Sequence, residues 1–382
     1  MPGHNAAMTE LYIGLMSGTS LDGIDGVLAD FSASGPDLLH VVAHAHRPFA
    51  PALAGELLAL NSTGGANELH RAALAGNALA RAYAEVVEAV LVGSGTARDR
   101  VRAIGAHGQT VRHRPHEFDG TGYTLQLNSP ALLAELCGID VVADLRSRDL
   151  AAGGQGAPLA PAFHRAMFGR AGETVAVLNL GGIGNLTALR ADGSTIGFDC
   201  GPGNALLDHW CRLHTGQAYD DGGAWAASGR VIEPLLDRLR ADPYFALPPP
   251  KSTGRDLFNP DWLQARLAAS GPGAAPVDVQ ATLAELTAAA CAADVQAHAG
   301  GVRVLLVCGG GAFNDDLMRR LAARLPGIDV MRSDRHGLPA DQVEACAFAW
   351  LARAFVRREY ANLPSVTGAA GLRVLGALYP AG

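Results

Sequence analysis

A two-lobed α/β protein built on mixed, largely parallel sheets with flanking helices is the fold class this sequence predicts, and three observations predict it. Its 382 residues are about two to three times the ~100 to 200 of a typical domain, which points to two large lobes or one unusually large unit. Strand-like and helix-like stretches alternate along the chain, the rhythm of sheets covered by helices. Two widely separated places repeat one plan, a strand, a glycine turn and a second strand, which suggests a topological duplication.

The first of these places begins with the apolar run 11–15, turns through Met16-Ser17-Gly18-Thr19-Ser20 and resumes as a strand over 26–31. Residues 50–97 are rich in Ala, Leu, Glu and Arg at helical spacing, clearest over 68–74 and 79–92, and predict two helices. Strands are expected over 101–107, 123–127 and 139–143, with a helix over 130–136. The glycine-rich stretch 146–161 breaks the rhythm and is the expected boundary. It gives a first lobe over 1–150 and a second over 151–382, with the C-terminal helix free to return to the first. The second lobe opens with a strand over 175–180, the turn Gly181-Gly182-Ile183-Gly184-Asn185, a strand over 186–190 and another reaching 198. Helices are expected over 204–213, 231–240, 278–298, 314–324 and 339–357, a loop over 219–229, and strands over 302–307 and 329–332.

Composition excludes several classes. With 49% hydrophobic against 18% charged residues, the chain has the material for a large core and is not disordered throughout. The 30 basic and 37 acidic side chains give a net charge of -7 with no long basic run, so nucleic acid is not an expected partner. No stretch of ~18 uncharged apolar residues occurs, and residues 1–10 lack the regions of a secretory signal. The expectation is a cytoplasmic protein with no membrane partner. Six scattered cysteines without Cys-x-x-Cys read as reduced, buried thiols. The 47 glycines are clustered rather than periodic, and clustered glycines bring backbone close to something.

Chemistry is expected at the clusters. Gly18, Thr19, Ser20, Leu21, Asp22, Gly23, Ile24 and Asp25 lie between two strands, where amides and hydroxyls can cradle phosphate oxygens and Asp22 can order magnesium through a water. The alternative is a polar hairpin capped by its own aspartates. Gly181, Gly182 and Asn185, and then Gly309, Gly310 and Gly311, also follow strands. The second set opens a helix whose free amides favour an anion, unless the glycines merely permit tight packing; neither set completes Gly-x-Gly-x-x-Gly.

Asp199 ends a strand before Cys200-Gly201-Pro202-Gly203-Asn204, placed either for general-base work or to cap its own turn. Glu344, on the last helix, is either a second functional acid or a solvated helix residue. Arg148 can clamp a carboxylate or phosphate bidentately, or form an internal Arg–Asp pair in the run Arg146, Arg148 and Asp149. His107 and Gln109 end a strand with groups able to read sugar hydroxyls, the alternative being a strand-end histidine that satisfies a backbone carbonyl. His40, His44 and His46 have no acid or cysteine at zinc spacing, and no Gly-x-Ser-x-Gly elbow marks a serine hydrolase.

Several long runs, taken in order, resemble one family. They are 14–23 (GLMSGTSLDG), 105–110 (GAHGQT), 143–149 (ADLRSRD), 152–159 (AGGQGAPL), 197–204 (GFDCGPGN), 250–255 (PKSTGR) and 307–314 (VCGGGAFN). From about residue 11 to 380 the chain resembles the anhydro-N-acetylmuramic acid kinase family. The resemblance implies the two-lobed actin-like ATPase and sugar-kinase fold with a central cleft, ATP and Mg2+ as cofactors, an amino sugar as substrate and a homodimer. It implies phosphorylation of the sugar's O6 coupled to opening of the 1,6-anhydro bridge by water, in cell-wall recycling. Matched position by position, the phosphate turn falls on Gly18 to Asp25, the second hairpin on Gly181 to Asn185, and the adenosine loop on Gly309 to Gly311. The family's base matches Asp199, its acid near the sugar matches Glu344, and Arg148 stands where an arginine faces the substrate. The rival readings are a kinase of a different amino sugar and a non-enzymatic sugar sensor.

Overall fold

The computed structural model describes residues 10–18, 20–33, 38–254, 257–269 and 273–382. They form two compact units. The first takes the chain up to Met167 together with Gln342–Gly382, and the second is Phe168–Asp341. The division therefore falls at 167/168 rather than 150/151, and the C-terminal stretch packs with the first unit.

In chain order the first unit begins with β1 (Leu11–Met16), β2 (Gly23–Asp30), β3 (His40–Pro48), α1 (Pro51–Leu60) and α2 (Glu68–Ser94). It continues with β4 (Val101–Ala106), β5 (Gln109–Pro115), β6 (Gly122–Leu127), α3 (Pro130–Cys137), β7 (Val141–Ala143), α4 (Ser147–Leu150) and α5 (Ala160–Phe168), whose last residue enters the second unit. The second unit holds β8 (Val175–Leu180), β9 (Ile183–Leu189), β10 (Thr195–Pro202), α6 (Asn204–Thr215), α7 (Ala224–Ser228), α8 (Glu233–Arg240) and α9 (Pro260–Ala268). It ends with α10 (Pro276–His298), β11 (Val304–Cys308), α11 (Asp315–Arg324) and β12 (Asp329–Arg332). The chain then returns with α12 (Val343–Val356), α13 (Pro364–Thr367) and β13 (Ala377–Tyr379).

The sheets show the duplication directly. In the first unit the order is β13-β7-β4-β1-β2-β3, and in the second β10-β9-β8-β11-β12. In each, three consecutive strands form an antiparallel meander, and the first of them also pairs in parallel with a later strand, which pairs in parallel with the next. Both units thus run 3-2-1-4-5, and β13 adds an antiparallel edge to the first. The central strand β8, VAVLNL, is buried throughout, as expected where both sheet faces are covered.

Local physics accounts for the helices. In α2 the residues Leu79, Tyr83, Val86, Val87 and Val90 recur at three- and four-residue spacing and are buried, the stripe that glues an amphipathic helix to a core. Its end is set by Gly95 at φ 65°, the left-handed cap that glycine adopts without a Cβ penalty. The expected loop over 219–229 instead contains a 3-10 turn, Asp221–Gly223, and α7. Buried Asp220 organises it by accepting from Trp225 N and Ala226 N, each at 2.9 Å.

Candidate active site

In the first unit, β1 runs into the predicted phosphate turn. Ser17 is buried, its Oγ 2.9 Å from Tyr83 Oη and donating to Gly108 O at 3.2 Å. Gly18 O accepts from Leu21 N at 3.3 Å and from Gln109 Nε2 at 3.0 Å. Leu21 sits at φ 59°, a left-handed conformation uncommon outside glycine that tertiary contacts must enforce. Asp22 Oδ1 accepts from Ser20 Oγ at 2.7 Å and Gly23 N at 2.9 Å, so the aspartate caps its own turn. Its other oxygen takes no hydrogen bond among the described residues, and the side chain is exposed.

The turn is shorter than 18–25. Gly23, Ile24 and Asp25 belong to β2, and Thr19 lies outside the described residues. Asp25 pairs instead with the next strand, its Oδ1 3.2 Å from His44 Nε2 and 2.9 Å from His46 Nδ1. Among the described residues no group of three His, Cys, Asp or Glu could hold a metal ion.

A second cluster of the first unit joins His107, Arg146 and Glu344. His107 Nδ1 is 3.3 Å from Ser17 O, and its Nε2 lies 3.3 Å from Arg146 Nε and 3.0 Å from Arg146 Nη2. This pattern fixes the neutral tautomer with the proton on Nδ1. Burial and then the Arg146 charge push the imidazole down to about 3. Burial also lowers Arg146 to about 10, opposed by Glu344. Glu344 keeps its side chain open to solvent, yet dense surroundings first and the Asp25 carboxylate second raise its pKa, Arg146 opposing and Asp22 adding to the rise.

Arg148 does not join this cluster: it is exposed, and it is Arg146 two residues earlier that meets His107. The internal Arg–Asp pair does not form either. Asp149 is fully buried and accepts from Asn362 Nδ2 at 2.8 Å, Thr367 Oγ1 at 2.9 Å and Gly156 N at 2.8 Å. Gln109 is buried with its Oε1 unpartnered, as is Asn128 Nδ2.

In the second unit the two remaining glycine clusters come together because β8 and β11 are parallel neighbours. The turn is only Gly181-Gly182, since β9 starts at Ile183 and carries Asn185. Gly181 O and Gly182 O accept from the amides of Asn204, Gly203 and Ala205 at 2.8 to 3.1 Å, locking the turn to the start of α6. Gly309, at φ 79°, packs so closely on the end of β8 that a Cβ there would lie 2.4 Å from Asn179 Oδ1. Gly311 would meet Leu180 Cβ at 2.6 Å. The helix after Gly309–Gly311 is capped by Asn314, whose Oδ1 accepts from Leu317 N at 2.9 Å, so one amide of its first turn is already used.

Asn179, Asn185 and Asp199 lie directly opposite one another across β8, β9 and β10. After Asp199 the register shifts, and Gly201 follows at φ 146°. Such a bulge re-aims side chains at a strand end. Asp199 Oδ2 accepts from Ser252 Oγ at 2.9 Å and Thr253 N at 3.0 Å. Oδ1 takes no hydrogen bond among the described residues. Burial raises the carboxyl's pKa, while Thr253, Ser252 and the Lys251 charge pull it down. Asn179 Oδ1 and Thr253 Oγ1 are buried with no partner.

A duplicated 3-2-1-4-5 topology, with glycine turns at the strand ends and a carboxylate presented beside them, defines a two-lobed α/β protein of the actin-like ATPase and sugar-kinase class. The family model for anhydro-N-acetylmuramic acid kinase matches residues 10–381, and the chain belongs to that family. It is 67% identical over 377 residues to the anhydro-N-acetylmuramic acid kinase of Variovorax paradoxus, covering 97% of this chain and 99% of that one. It is 59% identical over 376 residues to that of Cupriavidus metallidurans, covering 97% and 98%. Among solved structures it is similar to the ADPNP-bound activator of 2-hydroxyisocaproyl-CoA dehydratase from Clostridium difficile. That likeness has 12% identity over 92% of this chain and 99% of that one, with a TM-score of 0.45.

Proposed function

We infer that this chain is an ATP-dependent kinase that opens the 1,6-anhydro ring of anhydro-N-acetylmuramic acid with water and phosphorylates O6. The products are N-acetylmuramic acid 6-phosphate and ADP, and the step belongs to cell-wall recycling. The observation that carries the reading is Asp199, a part-exposed carboxylate with one oxygen anchored by two donors and the other unspent.

In this reading Asp199 takes a proton from water as the water oxygen bonds C1. The C1–O6 bond breaks with its electron pair going to O6, O6 bonds the γ-phosphorus, and ADP leaves with the bridging oxygen. Attack opposite the departing bridge inverts C1. The phosphate-binding turns are assigned to Gly18, Ser20 and their neighbours and to Gly181, Gly182 and Asn185, with Gly309–Gly311 at the adenosine. Unpartnered buried Asn179 Oδ1 and Thr253 Oγ1 support a ligand there, since such atoms cost about 1–3 kcal/mol when left unsatisfied. Glu344, His107, Gln109 and Arg148 are assigned to the sugar, and Arg146 joins them as the link between His107 and Glu344.

The free oxygen of exposed Asp22 suits magnesium held through water, because that ion keeps several waters and takes one or two carboxylates. When bound, it would neutralise phosphate charge. Among the described residues no helix is long and apolar enough to cross a membrane; a cytoplasmic location and a homodimer are part of the proposal.

Turnover in isotopically labelled water tests the reading. The expected product carries one labelled oxygen, at C1, with the phosphate oxygens unlabelled. A kinase of another amino sugar transfers phosphate without incorporation, and a sensor makes no product; either outcome overturns it.

A further inference from the structure

Behind the strand that carries Asp199 lies a buried ion pair that the proposed chemistry does not use. Lys251 Nζ donates to Asp294 Oδ2 at 3.2 Å and Oδ1 at 3.3 Å, and only 7% of Lys251 and 8% of Asp294 is exposed. The ammonium also stands 5.5 Å from the centre of the Phe198 ring and 5.3 Å from that of Tyr244. An ion pair in such surroundings is seldom retained for stability, because apolar residues of similar volume often do as well or better.

What the lysine anchors supplies a reason. Lys251 O accepts from Asp199 N at 3.1 Å, and the next two residues are those whose hydroxyl and amide hold Asp199 Oδ2. From the other side Tyr244 Oη donates to Asp199 O at 2.7 Å. Three consecutive residues therefore grip Asp199 at its amide and at one carboxylate oxygen.

We propose that the Lys251–Asp294 pair is a positioning device for Asp199, pinning residues 251–253 so that Oδ2 is held and Oδ1 alone accepts the proton. The inference rests on Asp199 being the base. Lys251 and Tyr244 interact with Asp199 itself, while the thiol of Cys200 and, from α10, Cys291 and His298 surround Asp294, His298 with Nε2 4.0 Å from Asp294 Oδ1. Of these, Lys251 supplies the charge that opposes the rise that burial imposes on Asp199.

The double variant Lys251→Met/Asp294→Asn separates positioning from structure, because it leaves no lone buried charge and so keeps its Tm near that of the wild type. The acid limb of kcat/KM against pH is expected to move up by about half a unit or more as the donors that residues 252 and 253 hold on Oδ2 loosen, with kcat down about tenfold and KM for ATP unchanged within about twofold. Ser252→Ala, at an exposed position, removes one donor to Oδ2 without disturbing the core and is expected to move the limb in the same direction. A double variant with wild-type Tm, limb and kcat overturns the proposal; should it fail to fold, an unmoved limb in Ser252→Ala does so instead. Asp199→Asn distinguishes the two levels. If it is inactive while the others behave as wild type, only the positioning role fails, and if it is active the base assignment fails with it.

Discussion

His107 shows how one buried side chain commits a site to a protonation state. Donating from Nδ1 to Ser17 O and accepting Arg146 at Nε2, it has no lone pair left for a proton, and its pKa lies near 3 against an ordinary 6.5. The unfolded chain binds a proton here below pH 6.5 and the folded chain does not until about pH 3, so folding stability falls as pH falls through that window. In His107→Gln, urea titrations between pH 6 and 5 are expected to show a shallower dependence, by up to about 1.4 kcal/mol per pH unit. An unchanged slope would mean that His107 protonates in the folded state. Asp199 runs the other way: its raised pKa means that acidification first neutralises the proposed base, so kcat/KM falls on the acid side.

Among elements, α12 explains why a C-terminal helix belongs to the first unit. Gly14 of β1 and Gly105 of β4 are register partners, and both lie under that helix. A Cβ at Gly14 would fall 1.9 Å from Ala345 O, and one at Gly105 would fall 2.0 Å from Phe348 O. The paired glycines let the helix rest on bare backbone, which places Glu344 and sets the Phe348 ring 4.8 Å from that of His107, tilted by 42°. Gly14→Ala is expected to cost about 1–3 kcal/mol by overpacking and to lower kcat by displacing Glu344. Gly93→Ala, in α2 with nothing within 4 Å, is expected to stabilise by about 0.5–1 kcal/mol. Denaturant unfolding checks both, and equal effects would contradict the packing argument. This contact was not legible in the sequence: Gly14 and Gly105 read as residues of the strands over 11–15 and 101–107, and nothing local links them to a helix more than two hundred residues on.

Across the whole molecule, the duplication was legible because each copy opens with the same strand, glycine turn and strand, and periodicity carried most elements. The strand over 329–332 and the helices near 204–215 and 276–298 come out close to expectation. What failed was non-local. The boundary depends on where contacts thin out, which composition over 146–161 does not report. Arg146 and Arg148 are alike in sequence, and only tertiary contact makes the first the partner of His107. The grip of residues 251–253 on Asp199 spans more than fifty positions, although Lys251-Ser252-Thr253 stood out as part of a motif.

The central claim is that Asp199 removes the proton from the attacking water. Single-turnover measurement of Asp199→Asn with the anhydro sugar and ATP tests it most directly. The account predicts a folded protein that binds ATP as tightly as the wild type and turns over about 10²- to 10⁴-fold more slowly; a rate within a few-fold of the wild type would contradict it.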